Sequence, residues 1–222
     1  MIDQKVKSAI EGALNTFSEY NNFDAVDLTQ AIEDLFTANA DFMIKVQRLD
    51  ALIDHNPNLE GLREIFFDLL LINFFTADVQ RLEDDYLESP EWEDIEEQTL
   101  DRGTELLNLL LYLNECADEG IEPELSDYLQ EFLLVDDDEF QDEYQIYEPV
   151  IANQILMESD VSEIRKVAES LADDAEIKDI FYPMMCFFQN PKPNAREFAL
   201  IAENAVIKDF DMPVFSILER FI

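Results

Sequence analysis

Leu59-Glu60-Gly61-Leu62-Arg63-Glu64-Ile65-Phe66-Phe67-Asp68-Leu69-Leu70-Leu71-Ile72-Asn73-Phe74-Phe75-Thr76-Ala77 is the stretch on which the reading of the fold turns. Leu59, Leu62, Ile65, Phe66, Leu69 and Leu70 recur at helical spacing. Apolar side chains then continue around the cylinder through Phe75, the pattern of a helix buried on every side. From Ile65 to Ala77 only Asp68, Asn73 and Thr76 interrupt the apolar run. That run of 13 residues is shorter than the ~20 a bilayer span needs, so it reads as a central core helix. His55-Asn56-Pro57 before it is a turn, Asn58 is a candidate cap, and the helix is expected to extend as far as Leu87.

Helical spacing extends outward in both directions. Ile2, Val6, Ile10, Ala13, Phe17 and Tyr20 define a first helix ended by Asn21 and Asn22. That N-terminal stretch lacks the long apolar run of a signal peptide and reads as structural. Asp24 or Asp27 caps a second helix whose face runs from Leu28 to Ile53, with a break expected at Asn39. Ser89-Pro90 starts a fourth helix, Ser as N-cap and Pro at its first position. It is expected to reach Leu106 to Leu113 and stop near Gly120. Pro123 opens a fifth with Leu125, Leu129, Phe132 and Leu133 on one side, Asp136 to Asp138 reads as a loop, and Pro149 restarts the chain. Only 4 Gly and 8 Pro in 222 residues leave little turn chemistry for strands. The 17 Phe supply ample material for a continuous core. The class expected is all-α, a multi-helix array or bundle with stacked helix pairs toward the C-terminus.

The net charge of −38 is unevenly spread, because residues 83–148 alone hold 25 acids and one base, Arg102. Two runs dominate, Glu83 to Glu97 and Asp136 to Tyr144, and aromatic residues recur in both. Glu91, Glu93 and Asp94 stand in the first turns of the helix opened at Ser89, where carboxylates favour the positive end of the dipole. A field of this sign repels nucleic acid and anionic membranes and attracts basic proteins. Salt adaptation would spread the acid over the whole surface, and this distribution is lopsided. Trp92, spaced with Ile95 and Thr99, reads as core, and Tyr86, Phe140, Tyr144 and Tyr147 divide between core and interface.

Residues 173–188 and 203–218 match at a spacing of 30: Ala175, Ile177, Lys178, Asp179 and Pro183 align with Ala205, Ile207, Lys208, Asp209 and Pro213. Upstream of each copy, Arg165 and Ala168 pair with Arg196 and Ala199. A turn followed by a helix with Arg and then Ala three residues on resembles HEAT/armadillo-type helical repeats, over roughly residues 155–222. The family period is somewhat longer, and the long N-terminal helices depart from it. The resemblance implies stacked helix pairs with an extended binding face and no chemistry. The chain thus divides into an acidic helical part, 1–148, and a repeat-like part, 149–222, packed as one continuous domain.

Catalytic signatures are wanting. His55 is the single histidine and sits in a turn. No His-based zinc or di-iron set can be built on one imidazole. Four scattered glycines form no phosphate loop. A calcium loop opening at Asp136 would need Gly at its sixth position and Glu at its twelfth, where Gln141 and Tyr147 stand. No catalytic residue, metal or cofactor is therefore expected. Cys116 and Cys186 lie far apart in apolar contexts and fit free thiols in a reducing cytoplasm.

The expectation is a non-enzymatic, cytoplasmic binding protein that engages a basic protein through a carboxylate-rich face, as a DNA mimic, an immunity protein or antitoxin, or a chaperone. It would contact neither nucleic acid nor membrane directly. The residues expected to meet the partner are Glu83, Asp84, Asp85, Glu88, Glu91, Glu93, Asp94, Glu96 and Glu97 in the first run. In the second they are Asp136, Asp137, Asp138, Glu139, Asp142, Glu143 and Tyr144. The alternative is a helical-repeat scaffold binding through its C-terminal face, its acidity serving solubility.

Overall fold

The computed structural model describes residues 1–21, 24–77, 89–132, 134–136, 139–140 and 145–222, the side chains of Glu91 and of 131–140 excepted. The architecture is all-α. Its helices are α1 (Gln4–Asn21), α2 (Val26–Thr37), α3 (Phe42–Asp54), α4 (Arg63–Ala77), α5 (Pro90–Thr99) and α6 (Leu106–Glu119). They continue as α7 (Leu125–Asp127), α8 (Glu148–Ala152), α9 (Val161–Ser170), α10 (Lys178–Gln189), α11 (Ala195–Asn204) and α12 (Lys208–Phe221). Single 3-10 turns, Pro57–Leu62 and Gln154–Glu158, precede α4 and α9, and a π-helical turn, Tyr128–Phe132, follows α7.

The central helix is α4, as its sequence predicts. Every residue from Ile65 to Leu70 is buried, and α4 packs on α1, α3 and α6. The 3-10 turn takes in Leu59 to Leu62, which the sequence assigns to the helix itself, so the α-helix begins only at Arg63. The expected continuation to Leu87 lies outside the described residues. Both buried polar interruptions of α4 have partners. Asn73 accepts from the Asp3 backbone N–H at 2.9 Å and donates to the Met1 carbonyl. Asp3 in turn caps α1, accepting from the N–H of Lys5 at 2.8 Å. The first residues are thereby tied to the middle of the core.

Helix α1 lies along α12, which brings the two ends of the sequence side by side. Small residues allow the approach. A Cβ on Gly12 would stand 2.9 Å from Arg220 Cγ and 3.3 Å from the Ser216 carbonyl. Thr16 and Ser216 share a buried hydroxyl–hydroxyl hydrogen bond of 2.7 Å. Beyond α12, α10 packs on both α12 and α9, and α9 packs on α11. Tyr182 of α10 donates to the Ile201 carbonyl of α11 at 2.7 Å. The two copies of the internal repeat adopt equivalent local structures. Lys178 and Lys208 each open a helix, and Pro183 and Pro213 each stand at its sixth position. Both prolines lack the N–H that would reach the carbonyl four residues back, so the copies share the same local defect. The buried residues form one cluster running from Val6 to Phe221.

One sequence expectation holds and two need correction. The break near Asn39 is real, and it separates α2 from α3 between Ala38 and Asp41. The single fourth helix expected from Pro90 to Gly120 is two, α5 and α6, parted by residues 100–105. Gly103, at φ +89°, turns the chain there in a conformation that side chains disfavour. Asp136, expected in a loop, belongs to a short antiparallel pair with Leu134↔Phe140 and Asp136↔Glu139 opposed. This pair, Leu134–Asp136 with Glu139–Phe140, is the sole strand structure among the described residues. No described helix is long and apolar enough to cross a membrane.

Candidate binding surface

Helix α5 carries the described part of the first acidic run. Ser89 caps it, its Oγ accepting from the Trp92 N–H at 3.1 Å, and Pro90 follows at the first helical position. Trp92 and Ile95, three residues apart, point into the core. The indole is only 8 % exposed, stacked 6.2 Å from the Phe74 ring at 8° and 5.3 Å from Phe75. Glu93, Asp94, Glu96 and Glu97 occupy the outer face and are all exposed. Among the described residues none of the four meets a lysine or arginine; Asp94 accepts only from Gln98, at 2.8 Å. The array is a row of uncompensated carboxylates on a helix fastened from behind.

The other expected contact residues are less fully placed. Glu91 lies in α5, and Asp136 and Glu139 lie in the short strand pair. Glu83, Asp84, Asp85, Glu88, Asp137, Asp138, Asp142, Glu143 and Tyr144 lie outside the described residues, as does Tyr86. Tyr147, one of the interface candidates, is core. Its hydroxyl donates to Glu105 and accepts from Tyr128 at 2.9 Å. Burial pushes both phenols well above their ordinary pKa, so both remain protonated donors.

A second acidic feature lies behind the 100–105 connector. Arg102, the lone base of the acidic segment, stacks 4.8 Å from the Phe67 ring centroid. Its guanidinium also reaches Glu64 at 2.9 Å and Asp50 at 3.1 Å. Arg63 beside it pairs with Asp50, Asp54 and Glu60. Two cations thus serve four carboxylates and leave the cluster negative. Below them Asp68 is fully buried. Desolvation raises its pKa well above the ordinary range, against the opposing pull of hydrogen bonds from Thr104.

These groups line a cleft of about 680 Å³ between the 3-10 turn before α4, the connector, and the starts of α10 and α12. Glu60, Glu64 and Glu105 line it together with Asp101, Glu176 and Asp179. The last three have no cation partner among the described residues. A smaller cavity of about 280 Å³ adjoins the cleft, sharing Gly61, Asp179 and Phe210 with it. Its other walls are chiefly apolar: Ala168, Tyr182, Val206 and Ile207. Lys178 lines it too, and its ammonium is held by Asp173 at 2.5 Å and by the Leu171 carbonyl.

Sequence reasoning missed this second site because its residues come from four distant segments. Asp68 inside an apolar helix, Arg102 alone in an acidic segment and Gly103 among four glycines were the available signals. His55 is exposed at the end of α3, where its Nδ1 meets the Ala51 carbonyl at 2.5 Å. No group of three or more His, Cys, Asp or Glu side chains among the described residues is arranged to hold a metal ion. Compared with known proteins, the chain matches no family model, no curated protein and no solved structure.

Proposed function

We propose that this protein is a non-enzymatic binding protein that takes a basic protein partner on its carboxylate surface. One observation carries the reading: Glu93, Asp94, Glu96 and Glu97 stand in solvent, with no lysine or arginine partner among the described residues, on a helix whose Trp92 and Ile95 are locked in the core. A surface serving solubility alone needs charge but no fixed spacing. Carboxylates held on a rigid helix keep a fixed spacing, and a basic surface can match that spacing without first ordering the acidic partner. A DNA mimic, an immunity protein or antitoxin, and a chaperone for a basic client all fit this arrangement. Both cysteines are free and buried, which agrees with a reducing, cytoplasmic setting.

Affinity purification from the native cell at low salt, with elution by a salt gradient, tests the reading. A basic protein that elutes early is expected, because exposed charge pairs are screened beyond about 8 Å at physiological ionic strength. Neutralising Glu93, Asp94, Glu96 and Glu97 to their amides should weaken its retention. An acidic or neutral partner, or retention indifferent to salt, rejects the proposal.

A second reading is favoured by Lys178/Lys208 and Pro183/Pro213, which stand at equivalent positions in α10 and α12. On this reading the last third is a HEAT-like pair of helical repeats that binds through its own face. Substitutions confined to 155–222 would then abolish binding, and neutralising α5 would leave it intact.

A further inference from the structure

We propose that, besides meeting the α5 carboxylates, the basic partner docks at a second place, the groove formed where the acidic cleft meets the apolar cavity. Its occupant is a segment that presents an aliphatic side chain between lysines or arginines. This rests on the basic-partner reading and adds a location and a second recognition element.

The two cavities share Gly61, Asp179 and Phe210, so a ligand lying across that seam touches both. On one side are Asp101, Glu176 and Glu105, and the arginines nearby are already saturated by Asp50, Asp54, Glu60 and Glu64. That side complements incoming cations and repels anions. On the other side Ile207 and Val206 are 55 % and 38 % exposed beside the half-buried Phe210 ring. Covering them removes apolar surface from water, which is favourable. The apolar cavity, at about 280 Å³, falls just below the ~300–1,000 Å³ typical of small-molecule pockets and suits an inserted side chain. Lys178, the one cation lining it, is neutralised by Asp173 and does not oppose a basic ligand. Charge alone would recognise any basic surface. The apolar half adds a requirement that a bare polycation fails to meet.

Gly61 allows a clean test. It is exposed, and a Cβ built there meets nothing within 4 Å, so a larger side chain enters open space at the seam without strain. The probes are a short labelled peptide alternating Lys with Leu and a charge-matched one alternating Lys with Ser, titrated by fluorescence anisotropy against the full chain. The Lys–Leu peptide should bind about tenfold more tightly, the worth of one well-buried Leu side chain. Gly61→Phe and Ile207→Ser should each bring it to the level of the Lys–Ser peptide. Glu176→Gln with Asp179→Asn should weaken both peptides, and amide substitution of the four α5 carboxylates should keep the preference for Leu. Equal binding of the two peptides, or an undiminished preference in Gly61→Phe, overturns the groove and leaves the basic-partner reading standing. Failure of both peptides to bind overturns both.

Discussion

Thr104 donates its hydroxyl to the buried carboxylate of Asp68 at 2.6 Å, across 36 positions of chain. The Thr104 N–H adds contacts of 3.1 Å to both oxygens, and its Oγ1 accepts from the Leu106 N–H at 3.1 Å as α6 begins. One threonine therefore satisfies the buried acid and starts the next helix. Gly103 completes the arrangement, because a Cβ there would lie 2.6 Å from Asp68 Oδ1. Thr104→Val should cost about 1–3 kcal/mol of stability by leaving a buried acceptor short of a donor. Thr104→Ser should stay near wild type. Urea denaturation of the three proteins measures the difference, and equal midpoints for wild type and Thr104→Val would refute this account.

Asp211 gives a pH signature. Its Oδ2 accepts from the N–H groups of Val206 at 2.7 Å and Ile207 at 2.8 Å. Burial outweighs those bonds and, with Asp179 and Asp209 adding repulsion, pushes its pKa up to about 6. Between pH 4 and 6 the folded chain then holds a proton that the unfolded chain releases. Stability accordingly falls as pH rises through that window, by an amount on the order of 3 kcal/mol. Buried Asp68 acts in the same direction, as does self-repulsion at a net charge of −38. Melting temperature should therefore drop from pH 4 to pH 6. Asp211→Asn, which retains a carbonyl acceptor, should flatten that slope, and a slope identical to wild type would count against the assignment.

Both features bear on how much could be read from sequence. The apolar periodicity of Ile65 to Phe75 predicted a central helix, because burial on every side leaves a local imprint. Ser89-Pro90 marked the start of α5 and Trp92 its buried side, since capping and period are also local. The break at 100–105 escaped notice because Leu106 to Leu113 continues the helical period after it. After α5 ends at Thr99, the chain turns at Gly103, whose positive φ and close approach to Asp68 leave no place for a side chain. The groove was invisible for a related reason: Gly61, Asp101, Asp179 and Phe210 become neighbours only when α10 and α12 pack beside α4 and α6.

Gly12 tests the close approach of α1 to α12. A helical glycine usually gains about 1 kcal/mol on replacement by alanine. Here the added carbon would meet Arg220 Cγ at 2.9 Å, which can swing away, and the Ser216 carbonyl at 3.3 Å, which is backbone. Gly12→Leu has no such escape and should destabilise by about 1–3 kcal/mol through overpacking. The Arg220→Ala background should relieve only part of this, since the Ser216 backbone remains. Thermal melts of the single and double variants decide the matter, and an unchanged Gly12→Leu protein would show that the two helices can move apart freely.

Both thiols should be silent in the native state. Cys116 and Cys186 are buried, and burial raises both thiols, that of Cys186 to about 12. Because the thiolate is the reactive form, a disulfide reagent near neutral pH should label neither cysteine until denaturant is added, and then both. Rapid labelling of the folded chain would contradict the packing around α6 and α10.

Trp92 links stability to binding. Its indole is the only one in the chain, so its fluorescence reports the contact with Phe74 and Phe75 directly. Trp92→Ala should cost about 3–5 kcal/mol, as expected for deleting a large buried aromatic, and Trp92→Phe should cost less. The substitution leaves every carboxylate in place. If the partner needs a fixed array, Trp92→Ala that remains helical by circular dichroism should bind it more weakly at the same salt. Substitution of an exposed uncharged residue outside the acidic region, such as Val26→Ser, should have no such effect. If the basic partner is drawn only by a diffuse field, Trp92→Ala will bind as wild type while the amide substitutions on α5 still weaken binding. The affinity of a variant with unchanged charge thus distinguishes geometry from mere acidity.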